Sequence, residues 1–258
     1  MGLARTNSTE CNKDALNYAG ALTTGELDTL ARPPQGCAIA KGKNMELTKR
    51  LEKCYAAAVH DVLRGMGYAQ CVLPHTIKPL DPAKKLAGEI YTVSGYIDQT
   101  RDAHDTLVQW TGLLSKAPSG KVMVCQPNTH MVALMGELSA ETLHHKGVLG
   151  YVVDGGCRDT DFILRLGFPV FCSFNTPSDI VGRWVPDRFG QPLTIGDVTI
   201  STGDWLLADR DGVVIIPGKI AEQVVSKTEE VLLTENKVRS AILGGMDPQE
   251  AYLKFGKF

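Results

Sequence analysis

GVLGYVVDGGCRD, residues 147–159, is the stretch on which the reading of this chain turns. Val148 to Val153 form an apolar run rich in β-branched residues, the pattern of a strand buried on both faces. The run leads straight into Asp154-Gly155-Gly156-Cys157-Arg158-Asp159, the densest polar cluster in an apolar setting. Polar side chains just past the carboxyl end of a buried strand are where α/β folds commonly place their sites. Paired glycines let the backbone turn sharply and leave room for a ligand. The same residues also fit an ordinary turn, with Asp154 capping the next helix and Arg158 pairing with Asp159 on the surface. Local sequence leaves both readings open.

Working outward, strands and helices alternate. Upstream, GELSAETLHHKG (136–147) reads as a short helix. The first N–H groups of a helix lack internal partners and suit a carboxylate oxygen, although Glu137 there also suits a plain first-turn acid. Further back lie a strand, GEIYTVSGY (88–96), a helix, DTLVQWTGLLSK (105–116), and a strand, KVMVCQ (121–126). Downstream, TDFILRLG (160–167) reads as a helical turn or two and PVFCSF (169–174) as a strand. LTIGDVTI, DWLLA and GVVIIP, within 193–217, read as short β pieces forming a β-rich insertion, before a long helix over 218–243 and a short terminal one. One helix is expected from Asn44, as N-cap, to Gly67, with Leu47, Leu51, Tyr55, Val59, Val62 and Leu63 on its buried face. Residues 1–43, punctuated by Pro33-Pro34-Gln35-Gly36, read as an N-terminal extension to a main domain over 44–258. The fold class is mixed α/β.

Composition narrows the function. The 258 residues are 43% hydrophobic and 22% charged, and 27 basic against 29 acidic residues leave a net charge of -2. No basic stripe argues for nucleic acid, no apolar run reaches a membrane span of about 18 residues, and no apolar segment near the N-terminus suggests a secretory signal. The seven cysteines are odd in number and scattered without a C-x-x-C, which points to reduced thiols in a cytoplasmic compartment rather than to zinc. His144 and His145 are adjacent, so on a helix they diverge and cannot chelate one metal together. His60 falls on a helix and suits packing, while His75, in a proline-broken loop, is a candidate for the pocket wall. No lysine sits inside an apolar strand, so Schiff-base chemistry finds no residue. Arg183 and Arg188, in the stretch 182–192, suit a surface loop, a subunit contact or a grip on a second substrate carboxylate.

Taken together, Glu137, twenty intervening residues and Arg158-Asp159 resemble the signature of the RraA-like family. VLPHTIKPLDPAKKLAGEIYTV (72–93), FPVF (168–171) and GDWLLADRDGVVIIP (203–217) agree with it in order and spacing, so that the likeness covers roughly residues 45–256. The resemblance implies a swivelling β/β/α fold with a long C-terminal helix, assembled as a homotrimer or homohexamer with sites between subunits. It implies a class II pyruvate aldolase acting on small keto acids such as 4-hydroxy-4-methyl-2-oxoglutarate or 4-carboxy-4-hydroxy-2-oxoadipate, with oxaloacetate decarboxylation through the same pyruvate enolate. The implied cofactor is a divalent cation, Mg2+ or Mn2+, on Asp159. Glu235, or next Glu230, would act on it through water from a neighbouring subunit. Arg158 would meet the keto oxygen, and Gly136, Leu138 and Ser139 the substrate carboxylate. Glu137 would move the proton, although aldolases of the family usually carry Asp there. No nucleic-acid or membrane partner is expected. The competing reading is a non-catalytic protein-binding regulator, since the family's namesake inhibits the ribonuclease RNase E. A methyltransferase is disfavoured, because no Gly-rich loop follows an N-terminal strand.

Overall fold

The computed structural model describes residues 38–257. The chain divides into two units, Met1–Ile39 and Ala40–Phe258. The first lies almost wholly outside the described residues, as do Cys11, Cys37 and most of the expected extension over 1–43.

The second unit is organised by β5 (Gly150–Cys157), in which only Asp154 reaches even partial exposure. Parallel neighbours flank it, β3 (Val122–Gln126) on one side and β6 (Val170–Asn175) on the other. Alternate residues then serve opposite faces, as a pleated strand requires. Met123, Cys125, Tyr151, Val153, Val170 and Cys172 join one core with residues of α3 (Ala103–Lys116), α4 (Glu137–His145) and α5 (Thr160–Leu166). Val122, Val124, Val152 and Phe171 join a second core under the hairpin of β8 (Leu193–Ile195) and β9 (Val198–Ile200). The cysteines expected to be reduced in the strands are buried free thiols, and burial pushes Cys125 up to about 12.

β2 (Leu86–Ile97) ties the sheet together. Residues 90–94 run parallel to β3, and residues 86–89 pair antiparallel with β10 (Trp205–Ala208), which pairs in turn with β11 (Val213–Ile216). The pieces over 204–217 are therefore part of the main sheet and not an insertion, because β10 supplies the ladder partners along that edge of β2. The far end of β2 pairs with β7 (Trp184–Phe189), so part of the stretch expected as a loop is a strand with Trp184 fully buried. Among the described residues nine strands form this sheet; the other two are β1 (Lys78–Pro79), beside β6, and β4 (Ala133–Met135), beside β5.

The helix expected over 44–67 is two helices, α1 (Ala38–Glu52) and α2 (Ala56–Gly65). Asn44 lies inside α1 and its side chain donates to Glu89, so it caps nothing. The break follows from tertiary contacts: Asp209 accepts the Ala56 N–H at 2.8 Å, and the Lys85 ammonium binds the carbonyls of Glu52 and Cys54. The expected apolar face survives, since Leu47, Leu51, Val59, Val62 and Leu63 pack with β10, β11 and the first half of α6 (Ala221–Leu243). Arg50 fastens the two ends, donating to Glu229 at 2.8 and 3.0 Å and to Ser226 at 2.9 Å on α6, with Glu222 as a further partner. α7 (Pro248–Phe255) closes the described chain. Among the described residues no helix is long and apolar enough to cross a membrane.

Gly95 marks the tightest approach. A Cβ there would fall 2.2 Å from the Trp184 ring and 2.3 Å from the Val185 carbonyl, at the register shift where β2 meets β7. Gly95→Ala is expected to cost about 3 kcal/mol, the upper part of the range for overpacking; urea unfolding of the variant beside the wild type measures it.

Candidate active site

Glu137 and Arg158 are twenty-one positions apart and meet because two strand ends lie side by side. β4 runs parallel to the end of β5, with Ala133 opposite Gly156 and Met135 opposite Cys157. The Arg158 N–H then donates to the Met135 carbonyl at 2.9 Å. The turn from β4 into α4 thus lies against the turn from β5 into α5, and the side chains between them face one cleft of about 680 Å³.

Asp159 is the pivot. It sits in the left-handed region, at φ 53° and ψ 36°, where a non-glycine residue is strained. It occupies the N-cap position of α5 without capping that helix through its side chain. The carboxylate turns the other way and accepts the Glu137 N–H at 3.1 Å, at the start of α4, whose own cap residue Gly136 has no side chain to offer. Helix geometry leaves the next amides, of Leu138 and Ser139, without intrahelical acceptors. Gly136 is required by closeness: a Cβ would lie 2.7 Å from Asp159 Oδ2 and 3.2 Å from the Arg158 side chain.

Arg158 is held between two acids. Its Nε lies 3.3 Å from Asp159 Oδ2 and its Nη1 donates to Asp179 Oδ2 at 3.2 Å. The other Asp179 oxygen accepts the Val181 N–H at 3.1 Å and lies 3.7 Å from Arg183 Nη2. The wall opposite is α3, whose Trp110 indole donates to Ser139 Oγ at 3.0 Å. Among the described residues, the charged side chains lining the cleft are the acids Glu137, Glu141, Asp159 and Asp179 and one cation, Arg158. Arg158 and Asp159 also line a second hollow, about 310 Å³, with Thr160, Asn175 and Thr176.

The structure therefore gathers Gly136, Glu137, Leu138, Ser139, Arg158 and Asp159 in one place. It does not bring Glu235 to them within the chain: that carboxylate accepts from the Tyr55 hydroxyl, lies 3.4 Å from Lys257 Nζ, and lines a different hollow with Val238 and Arg239. Burial, then the hydrogen bond to Glu235, pushes the Tyr55 hydroxyl up to about 12. Glu230 is exposed on α6. Asp154 caps no helix; it ties strand ends together, accepting from Gln126 at 3.1 Å and Ser173 at 3.0 Å, with His130 at 3.2 Å. His75 is exposed and outside the cleft lining, and His144 and His145 are on the surface, as the adjacency implied. Sequence reasoning missed Asp179 and Trp110. For Asp179 the available signal was an acid in a Pro-Ser-Asp turn just past a buried strand, the same signal that flagged Asp159.

Residues 56–215 match the model of the RraA-like family, described as Aldolase/RraA. The chain is 30% identical over 206 residues to Protein DlpA of Legionella pneumophila, which covers 80% of this chain but only 33% of that protein, so the chain spans about a third of this relative's length. It is 26% identical to a Halalkalibacterium halodurans protein named "Putative 4-hydroxy-4-methyl-2-oxoglutarate aldolase", over 70% of this chain and 83% of the relative. Among solved structures it is similar to Streptomyces coelicolor RraAS2, titled an unusual member of the RNase ES inhibitor RraA protein family, with a TM-score of 0.68 at 25% identity, covering 81% of this chain and 99% of that one.

The backbone strain at Asp159 can be separated from its carboxylate. Asp159→Gly and Asp159→Ala lose the same carboxylate, but only alanine retains a Cβ at φ 53°. The glycine variant is expected to be the more stable of the two by about 1 kcal/mol, read from paired thermal or urea melts.

Proposed function

The chain belongs to the RraA-like family, and from that premise we propose that the cleft is the active site of a divalent-metal-dependent lyase. It cleaves or forms a C–C bond of 4-hydroxy-2-oxo acids of the 4-hydroxy-4-methyl-2-oxoglutarate type through a pyruvate enolate, and the same chemistry decarboxylates oxaloacetate. The observation that carries the reading is the convergence of Glu137, Arg158 and a strained Asp159 on one cleft. The name of the Halalkalibacterium halodurans relative supports it.

The donor set suits a hard cation. Among the described residues the cleft is lined by carboxylates and by no His or Cys, and Asp159 would be the protein ligand, with water around the ion. Mg2+ typically binds through one or two carboxylates and keeps several waters. The four acids against one cation in the lining make the cleft hostile to a keto acid until positive charge enters it. When bound, Mg2+ or Mn2+ would supply Lewis-acid polarisation of the keto group.

The chain's own residues account for the rest. The amides of Leu138 and Ser139, beside Gly136, receive the substrate carboxylate at the start of α4. Arg158, steered by Asp179, faces the keto oxygen, where negative charge grows. Glu137 takes the proton from the C4 hydroxyl. The C3–C4 bond then breaks, its electron pair passing into the enolate as the new carbonyl forms, and the proton returns to C3 to give pyruvate. With oxaloacetate the same bond breaks to release carbon dioxide. In a homotrimer or homohexamer, Glu235 of a neighbouring subunit would complete the site through water; in this chain it pairs with Tyr55 and Lys257. We place this activity in the cytoplasm. Similarity to RraAS2 supports a second reading, a non-catalytic regulator that binds another protein.

The test is pyruvate release from oxaloacetate and from 4-hydroxy-4-methyl-2-oxoglutarate with Mg2+, with Mn2+ and with EDTA, against metal-only controls. Release that EDTA stops and metal restores is expected. Asp159→Ala should abolish it with the fold intact. Arg158→Ala should lower it about 10²-fold or more, with Arg158→Lys recovering only part, because a point charge does not replace the planar fork. Metal-independent silence on both substrates in an intact oligomer favours the regulator.

A further inference from the structure

Arg158 and Asp159 line both the cleft and the hollow of about 310 Å³ beside it, so the two spaces share one wall. Thr160, Asn175 and Thr176 add polar side chains to the hollow. It is built on the same strand ends as the cleft. The Thr176 N–H donates to the Cys157 carbonyl at 3.0 Å and the Ala133 N–H to the Ser178 carbonyl at 2.7 Å, which pins the segment after β6 across the ends of β5 and β4. That segment then runs on through Asp179, Ile180 and Val181 into the lining of the cleft.

What these side chains offer a ligand follows from the bonds they already make. Asn175 Oδ1 accepts from the Cys172 thiol at 3.7 Å, so the amide turns its acceptor to the sulfur and keeps its two N–H donors. Thr176 Oγ1 accepts the Ser178 N–H at 3.3 Å, and its hydroxyl proton remains to be donated. Thr160 brings a further hydroxyl. Arg158 meets Asp159 through Nε and Asp179 through Nη1, and Nη2 takes part in neither contact. The hollow therefore presents N–H and O–H donors beside a guanidinium, the combination that makes charge-assisted hydrogen bonds to a carboxylate. Asp159, the acid in its wall, is the residue that holds the cation in the lyase reading.

We propose that this hollow holds the second carboxylate of a dicarboxylate substrate, and that Asn175 and Thr176 are the residues that select for it. This rests on the lyase reading above and deepens it. The first carboxylate lies at the amides of Leu138 and Ser139 and the keto oxygen at Arg158; C4 then stands beside the shared wall, and the C5 carboxylate of 4-hydroxy-4-methyl-2-oxoglutarate enters the hollow. A substrate with a methyl group in that place gives these donors nothing to bond. Asn175 is exposed, so water competes there and the discrimination is about tenfold for each donor lost, the low end for a hydrogen bond to a charged group.

The experiment has two arms, both on the full chain. The first measures pyruvate release with Mg2+ from 4-hydroxy-4-methyl-2-oxoglutarate and from 4-hydroxy-4-methyl-2-oxopentanoate, which carries a methyl where the other has its second carboxylate. Asn175→Ala and Thr176→Val are each expected to lower the ratio of the two kcat/KM values about tenfold. Asn175→Asp, which sets a carboxylate against the incoming one, should lower it further, and Thr176→Ser, which keeps the hydroxyl, should hold it near the wild-type value. In the second arm calorimetry with Mg2+ compares the binding of 2-oxoglutarate and of 2-oxopentanoate; the dicarboxylate is expected to bind more tightly, with the gap narrowed in Asn175→Ala and Thr176→Val. Release from both substrates with the ratio unmoved in those two variants, above all if Arg183→Ala moves it, overturns the hollow and leaves the lyase standing. Release from neither, with 2-oxoglutarate preferred and that preference lost in the variants, overturns the lyase and supports the hollow. No release and no preference overturn both.

Discussion

Everything at the site depends on one short parallel pairing. β4 has three residues, yet its ladder to β5 and the Arg158 N–H to Met135 carbonyl bond set the two turns side by side. Parallel pairing is what makes this work: both strands end at the same edge, so both turns open in the same direction and both following helices begin there. Glu137 and Asp159 then interact through backbone and side chain across the seam. The spacing of twenty residues in the sequence is the length of one excursion, through α4 and back along β5, between two neighbouring turns.

This geometry also explains the electrostatics. Arg158 meets two carboxylates at 3.2–3.3 Å, each about a third exposed. Partly exposed pairs of this kind contribute little stability. Their effect is orientation: the guanidinium is fixed from two sides and the Asp179 carboxylate is itself anchored by the Val181 N–H. Strain at Asp159 has the same character, because a left-handed aspartate is an unfavourable way to begin a helix and is kept only by what surrounds it. Orientation has been favoured here over local stability.

The strands that were legible in the sequence are those buried on both faces, such as β3 and β5, where continuous apolar runs leave no other interpretation. β7 was hidden because it holds Pro186, Asp187 and Arg188, which read as loop residues; proline is tolerated there because the strand pairs with β2 across a shifted register. The break between α1 and α2 carries neither glycine nor proline. It is imposed by Asp209 and Lys85, which lie far along the chain and leave no local trace. At the site, Glu137, Arg158 and Asp159 could be named because they form a pattern of residue types at fixed spacing. Asp179 and Trp110 enter from a separate loop and helix, and only the folded chain shows that they touch Arg158 and Ser139.

The clasp between Arg50 and Glu229 spans 179 positions, and the apolar faces of α1 and α2 pack on β10, β11 and α6. On the ribosome those helices emerge long before their partners exist. At about 5–20 residues per second the interval is roughly ten to thirty seconds, during which Leu47, Leu51, Val59 and Leu63 have no core to enter. The β2–β3–β5–β6 layer can assemble in the meantime, but α1 and α2 must wait for the last quarter of the chain. A chain that stops before β10 therefore carries that helical face without the two strands and the helix it packs on.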